Sequence, residues 1–191
     1  MTRARQLSPG DADAELVTRA AEGDATAYRE LVARHAARLH QYALRLTRNA
    51  HEAEDVLQEA WLRVWQRAAD YEPTARVTTW LHRIVHNLAV DKLRVRGRFS
   101  ELTEEEPAPS STEQPALLEA KRDAQTLRAA IDRLPERQAA ALSLVHLSGL
   151  SPEEAQEVLG VSAEALESLL SRGRRKLKDE LTAPRKQHVA N

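Results

Sequence analysis

The chain of 191 residues contains no cysteine, few glycines and few aromatic side chains. The absence of cysteine excludes disulfides, thiolate zinc sites and cysteine nucleophiles. The six glycines are scattered and form neither a phosphate-binding P-loop nor a G-x-S-x-G nucleophile turn. No apolar run approaches the roughly 18 residues of a membrane span, and residues 1–22 are polar and charged, unlike a signal peptide. We therefore expect a soluble, cytoplasmic protein that is not an enzyme and uses no cofactor or small-molecule substrate.

Acidic and basic side chains almost balance, with a formal net charge of −1, but they are unevenly distributed. Such a balance argues against a protein that coats nucleic acid by charge alone. Residues 99–120 contain glutamates and no lysine or arginine, while basic residues gather just before this stretch and near the end of the chain. Proline, serine and glutamate without periodicity in residues 99–116 predict a flexible acidic linker.

Leu, Ala, Arg and Glu dominate the rest of the chain, and apolar residues recur at spacings of three and four, which is typical of α-helices. We predict an all-α protein with two small helical domains, residues 13–98 and 117–182, joined by the linker of residues 99–116. In the first domain, Gly23 ends a short helix, Asp24 caps a second and Asn49 caps a third. A fourth helix covers residues 76–98 after a loop centred on Pro73.

The third predicted helix, residues 51–69, has an apolar side for the core and an unusual outward side. The outward side carries Asp55, Gln58, Glu59 and Leu62, with Trp65 near its edge. An acidic-amide patch beside large apolar side chains favours a docking surface, although the periodicity alone fits an ordinary amphipathic helix.

The fourth predicted helix has two contrasting sides on a helical wheel. The apolar side is expected to face the core and consists of Val77, Leu81, Ile84, Leu88 and Val95. The opposite side is polar and basic, with Thr79, Arg83, His86, Asn87, Val90 and Arg94. Arginine can meet phosphates, and Asn, Thr or His can meet bases, but a solvated face fits the same spacing.

The second domain is predicted as four helices with a helix-turn-helix layout. Pro135 starts one helix, Ser151 and Glu154 form a capping box for the next, and Gly160 turns the chain into the last one. The outward side of the last helix combines small residues with cations, which suits insertion into a DNA major groove. Its candidate DNA-binding residues are Ser168, Ser171, Arg172, Arg174, Arg175 and Lys176.

An ordered set of motifs resembles extracytoplasmic-function (ECF) sigma factors, the small bacterial promoter-recognition subunits. The set is DVLQEAWLRVW, WLHRIVHNLAVDKLR, the acidic linker, LPERQAAAL and LSPEEAQEVLGVS. The resemblance implies that residues 13–98 bind core RNA polymerase and the −10 promoter element, and that residues 117–182 bind the −35 element. It also implies that Asp55, Gln58 and Glu59 grip a coiled coil on the largest polymerase subunit, with Leu62 beside them.

For the −10 element, the resemblance implies that the loop before the fourth helix captures a flipped base of the non-template strand. The side chains that would contact this strand are Arg76, Thr78, Thr79, Trp80, Arg83, Asn87 and Arg94. Trp80 lies at the boundary of the core stripe, so a packing role stays open. The acidic linker resembles the segment that passes through the active cleft of the polymerase.

The last helix departs from the family pattern V-K/R-S-R, because the chain reads Leu166-Glu167-Ser168-Leu169 there. The promoter sequence is therefore not predicted. The segment EALESLLSRGRRKLK resembles a subgroup that includes metal-resistance regulators, notably the cobalt–nickel resistance sigma factor. Family resemblance also implies control by an anti-sigma factor, often membrane-anchored, for which Leu62, Trp65 and an exposed Leu169 would provide apolar contacts.

Two other functions fit part of the sequence. A stand-alone helix-turn-helix DNA-binding regulator is the main alternative, although it has no need of the acidic-amide patch on the third helix. His82 and His86 are spaced as in a zinc-binding helix, but Arg83 stands where H-E-x-x-H needs its glutamate and no third ligand is obvious. We therefore expect no metal site and no catalysis by this chain alone.

Overall fold

The computed structural model describes residues 12–72, 75–95, 127 and 130–182. Within these ranges the chain is helical and contains no strand, which confirms the all-α prediction. The helices are α1 (Ala12–Ala21), α2 (Ala25–Thr47), α3 (Ala50–Arg67), α4 (Val77–Val95), α5 (Glu136–Leu142), α6 (Pro152–Leu159) and α7 (Ala163–Thr182). The predicted linker, residues 99–116, and most of the helix predicted before Pro135 lie outside the described residues.

Side-chain caps set the starts of α2 and α3 in the first half, α1–α4, where the sequence predicted them. The Asp24 carboxylate accepts hydrogen bonds from the backbone N–H groups of Thr26 (2.8 Å) and Ala27 (3.1 Å). The Asn49 side chain accepts one from the N–H of Glu52 (3.2 Å). These bonds satisfy N–H groups that have no partner inside the helix. A 3₁₀ turn, Ala68–Asp70, then ends α3.

The second half, α5–α7, has the predicted helix-turn-helix geometry. Ser151 and Glu154 form a complete capping box at the start of α6, and Gly160 ends α6 with φ of 64°, a left-handed conformation that favours glycine. Helix α7 packs against α5 at Gly173, where an added Cβ would lie 2.7 Å from Leu142 Cδ1. A side chain at position 173 would therefore require the Leu142 side chain to shift.

The two halves of the chain pack directly against each other. Helix α2 contacts α5, and α4 contacts α6. Arg48 donates a hydrogen bond to the carbonyl oxygen of Leu134, and His82 Nε2 lies 3.0 Å from Ser148 Oγ in a buried hydrogen bond. Helix α4 consequently lies between α2 and α3 on one side and α6 on the other.

The predicted orientation of α4 is wrong by roughly a quarter turn. Val95, placed in the core by its apolar character, is 89% exposed. Thr79, His86 and Val90, placed on the outward side, are buried. The buried side actually consists of Val77, Leu81, Val85, Ala89 and Leu93, together with His82 and His86. The pattern failed because it counted His86 as a surface residue and did not place His82 in the core, whereas internal hydrogen bonds make the burial of both histidines possible.

Candidate polymerase and nucleic-acid interfaces

The α3 patch, which we define as Asp55, Gln58, Glu59 and Leu62, faces outward as predicted. Its four side chains are exposed, and Leu62 is 50% exposed, an unusual position for a leucine. The opposite side of α3 is buried at Ala53, Val56, Ala60 and Val64. One helix therefore fixes the patch rigidly, because its other side is anchored in the core.

Hydrogen bonds hold the two carboxylates of the α3 patch in place. Lys92 Nζ donates to Asp55 at 2.6 Å, and Arg63 Nε donates to Glu59 at 2.9 Å. The hydrogen bond from Lys92 holds the pKa of Asp55 below its usual value, so this carboxylate is ionised at neutral pH. Both acids are thus available as anionic acceptors for a partner's cations.

An aromatic cluster supports the apolar end of the α3 patch. Trp65 is 39% exposed and stands edge-on to the Tyr28 ring, with 5.0 Å between the centroids. The Tyr28 hydroxyl donates to the carbonyl oxygen of Trp61 at 2.8 Å. The sequence pattern placed Tyr28 in the core stripe of α2, and gave no indication that it braces Trp65.

The α4 face, which we define as Arg76, Arg83, Asn87 and Arg94, forms one exposed stripe. The structure brings together these four of the seven candidates for the −10 strand. Thr79 is different, because its side chain is fully buried and points away from the stripe. Thr78 and Trp80 are partly buried. The Trp80 ring packs on Tyr71 with 5.2 Å between the ring centroids. The carbonyl oxygen of Thr78 lies 2.8 Å from His82 Nδ1.

Two buried histidines support the α4 face from beneath. The His86 Nδ1 atom lies 2.9 Å from the Tyr42 hydroxyl, and His82 bridges Thr78 and Ser148. Burial lowers the pKa of both histidines to about 4, so both rings are neutral at pH 7. They are structural groups. Among the described residues there is no cluster of three potential metal ligands.

The outward side of α7 has the predicted chemistry. Leu166, Leu170, Gly173 and Leu177 face α5 and the core. We define the α7 face as the six candidate DNA-binding residues. Three of them are exposed cations, Arg174, Arg175 and Lys176, and the other three side chains are partly exposed. The prediction that Leu169 is exposed is wrong, because it is 7% exposed and lines a cavity together with Asn87 and Val90 of α4.

Each half of the chain matches a known family model. Residues 31–99 match Sigma-70 region 2, and residues 124–177 match Sigma-70 region 4. The ECF RNA polymerase sigma factor SigE of Mycolicibacterium smegmatis is 36% identical over 187 residues, which cover 92% of this chain and 70% of SigE. The chain belongs to the ECF sigma factor family.

Solved structures of sigma factors share the fold of this ECF sigma factor. CnrH in complex with the cytosolic domain of CnrY superposes with a TM-score of 0.65 at 28% identity, over 90% of this chain and 97% of CnrH. The sigma factor RpoE of Bartonella quintana, in complex with the anti-sigma factor NepR, gives a TM-score of 0.62 at 25% identity, over 83% and 98% of the two chains.

Similarity to CnrH extends along the whole sigma factor. CnrH of Cupriavidus metallidurans is 30% identical over 196 aligned residues, which cover 93% of this chain and 98% of CnrH. This likeness supports the subgroup resemblance predicted from the last helix. The region 2 match covers α3 and α4, and the region 4 match covers α5 and α6 with most of α7. No helix in the described ranges is long and apolar enough to cross a membrane.

Proposed function

We propose that this ECF sigma factor docks on core RNA polymerase through the α3 patch. The observation that carries the proposal is the outward cluster of two carboxylates, an amide and a half-exposed leucine on a helix whose other side is anchored in the core. A coiled coil on the largest polymerase subunit is the expected partner. Such a surface presents cations and apolar side chains, which complement this patch.

Promoter reading is divided between the two halves in this proposal. The α7 face reads the −35 duplex, because its small side chains allow close approach and its exposed cations meet both phosphate walls. The α4 face binds the separated −10 strand, with Asn87 on the bases and the arginines on phosphates. Residues 13–98 and 117–182 are the corresponding domains, and residues 99–116 connect them.

Sigma factors are not enzymes, and the polymerase performs the chemistry of transcription. We place this sigma factor in the cytoplasm, because bacterial RNA polymerase works there.

An anti-sigma factor is a further expected partner. The similar structures of CnrH and RpoE are complexes with CnrY and with the anti-sigma factor NepR, respectively. In this chain, Leu62 and Trp65 supply exposed apolar surface for a helical inhibitor. Leu169 does not contribute in the present arrangement, because it is buried.

The decisive test is promoter-directed transcription with purified core polymerase. The variant Gln58→Ala/Glu59→Ala removes one amide and one carboxylate from the α3 patch, and its control, Gln41→Ala/Glu22→Ala, removes the same groups from exposed positions on α2 and in the turn after α1. We expect specific initiation with wild type and control, and at least tenfold less with the α3 variant. Tight binding of the protein alone to a specific duplex, without any initiation, would instead favour a stand-alone regulator.

A further inference from the structure

The cavity that Leu169 lines has a volume of about 430 Å³, and residues of α3 and α4 and of α5–α7 form its wall. The wall has two chemically different parts. Val90 of α4, Val161 of the turn after α6 and Leu169 belong to the apolar part. Charged side chains, most of them arginines, form the polar part. A cavity of this size suits one small organic ligand that has both a charged and an apolar end.

Arginines outnumber acids in the wall of this cavity. The four arginines are Arg63, Arg83, Arg94 and Arg137, and the two acids are Asp91 and Glu157. Glu157 is engaged by Arg83, with 3.5 Å between Nη1 and Oε1. Four positive charges against two negative charges leave the wall with a net positive charge, which favours an anionic ligand.

His86 adds a hydrogen-bond donor to the wall. It is 7% exposed, and its Nδ1 atom lies 2.9 Å from the hydroxyl of Tyr42, which is 1% exposed. In the described ranges, His86 Nδ1 is the acceptor within reach of this buried hydroxyl, so the hydroxyl donates and the ring proton lies on Nε2. Burial, together with the charge of Arg137, lowers the pKa of His86 to about 4. The ring is therefore a neutral N–H donor at pH 7.

Phosphate is the anion that these donors recognise best. A guanidinium group binds two phosphate oxygens at once through parallel N–H bonds, and an imidazole N–H can bind a third oxygen. Carboxylates such as Asp91 accept hydrogen bonds from ligand hydroxyl groups, as acids do when they bind a ribose. A phosphorylated molecule with hydroxyl groups and a flat apolar ring therefore matches every part of the wall.

We propose that this cavity binds one small phosphorylated ligand of the size and chemistry of a mononucleotide. Its phosphates are held by Arg94, Arg137 and the N–H of His86. Its ring lies against Val161 and Leu169. The proposal concerns binding without a chemical step, and it requires neither the −10 nor the −35 assignment.

Isothermal titration calorimetry of the full-length protein with three probes tests the site. ADP carries phosphates, hydroxyl groups and a ring, inorganic pyrophosphate carries the phosphates alone, and adenosine lacks them. We expect saturable binding of one ADP per protein, binding of pyrophosphate that is at least tenfold weaker, and no saturation with adenosine. Absence of saturation with both phosphorylated probes, or equal affinity for adenosine and ADP, would overturn the proposal.

Two variants remove cations from opposite halves of the cavity wall: Arg94→Gln in α4 and Arg137→Gln in α5. Arg133→Gln is the matched control, because it removes the same charge from an exposed residue close to Arg137 that does not line the cavity. Each cavity variant should bind ADP at least tenfold more weakly, the usual loss for one charged hydrogen-bonded contact, and the control should stay within twofold of wild type. ADP should raise the thermal unfolding midpoint of wild type and control more than that of the cavity variants.

Equal ADP affinity in both cavity variants and in Arg133→Gln would assign the binding to exposed cations elsewhere and would sink the proposed site. Circular dichroism identifies a variant that does not fold. Arg94 is exposed, so Arg94→Gln should keep the fold and decides the outcome if Arg137→Gln does not. Because the titrations contain neither polymerase nor DNA, failure of this site and failure of the proposed promoter function are separate results.

Discussion

The α3 patch and the α4 face lie on neighbouring helices of the same half, but their surroundings differ. The α3 patch is exposed, with Leu62 half in solvent, whereas Arg76 and Arg83 of the α4 face are paired with carboxylates of α6. The cations of the α4 face are thus engaged by the second half of the chain, whereas the carboxylates of the α3 patch are engaged only within their own half.

The largest effect on this comparison is expected from Leu62→Asp. Burial of a leucine at an interface contributes about 1.5–3 kcal/mol, and burial of an unpaired carboxylate adds a further cost. Polymerase affinity should fall at least about 100-fold in a fluorescence-anisotropy titration. Leu181→Asp is the matched control, because Leu181 is also 50% exposed but lies at the end of α7.

Leu62→Asp should leave the unbound protein folded, with a thermal unfolding midpoint within a few degrees of wild type, since the side chain is exposed. A large drop in that midpoint would show that Leu62 is a packing residue. The assignment of Leu62 to an exposed docking surface would then lose its basis.

Lowering the pH is expected to decrease the free energy of unfolding through the buried side of α4 and not through the α3 patch. Burial lowers the pKa of His82 and His86 to about 4 in the folded protein, below the ordinary value of 6.5. The unfolded chain therefore binds more protons as pH falls below 6.5, and the free energy of unfolding decreases through the window from pH 6.5 to 4. Between pH 7 and 5.5, each histidine should lower it by about 1 kcal/mol.

Urea unfolding at these two pH values measures this loss. His82→Gln keeps a hydrogen-bonding side chain but does not titrate, so it should lose about 1 kcal/mol less than wild type on acidification. Equal pH dependence of His82→Gln and wild type would show that His82 is not buried in a neutral form.

The α7 face provides the third point of comparison, because it is exposed in the same unbound protein. Arg172→Ala should reduce affinity for a −35 duplex about tenfold, the usual cost of one specific arginine contact. Arg29→Ala removes a cation from an exposed site on α2 and should reduce affinity only slightly.

Helix caps and the amphipathic sides of α3 and α7 could be predicted from sequence, because each depends on residues close together in the chain. Asp24, Asn49 and Ser151 act within three residues of themselves. The orientation of α4 could not be predicted in this way. His82 and Thr79 are polar, and the groups that bury them come from distant parts of the chain, such as Ser148.

Leu169 is a second residue whose burial could not be predicted from the pattern of one helix. By angle it falls outside the core stripe of α7, and a helical wheel for one helix therefore places it in solvent. It is buried because the second half packs on α4, a contact between residues about 80 positions apart. Local patterns do not include such contacts, so the burial of Leu169 became apparent only from the structure.

The smallest expected effect concerns the ion pair that joins α4 to the α3 patch. Lys92 of α4 donates to Asp55, so a partner that takes this carboxylate must first displace the lysine. Lys92→Ala should therefore raise polymerase affinity about twofold, in line with the small net strength of exposed ion pairs. Arg29→Ala again controls for loss of one positive charge. A tenfold or greater loss of affinity would mean that Lys92 holds Asp55 in its binding orientation, and the α3 patch would then depend on α4 instead of standing apart from it.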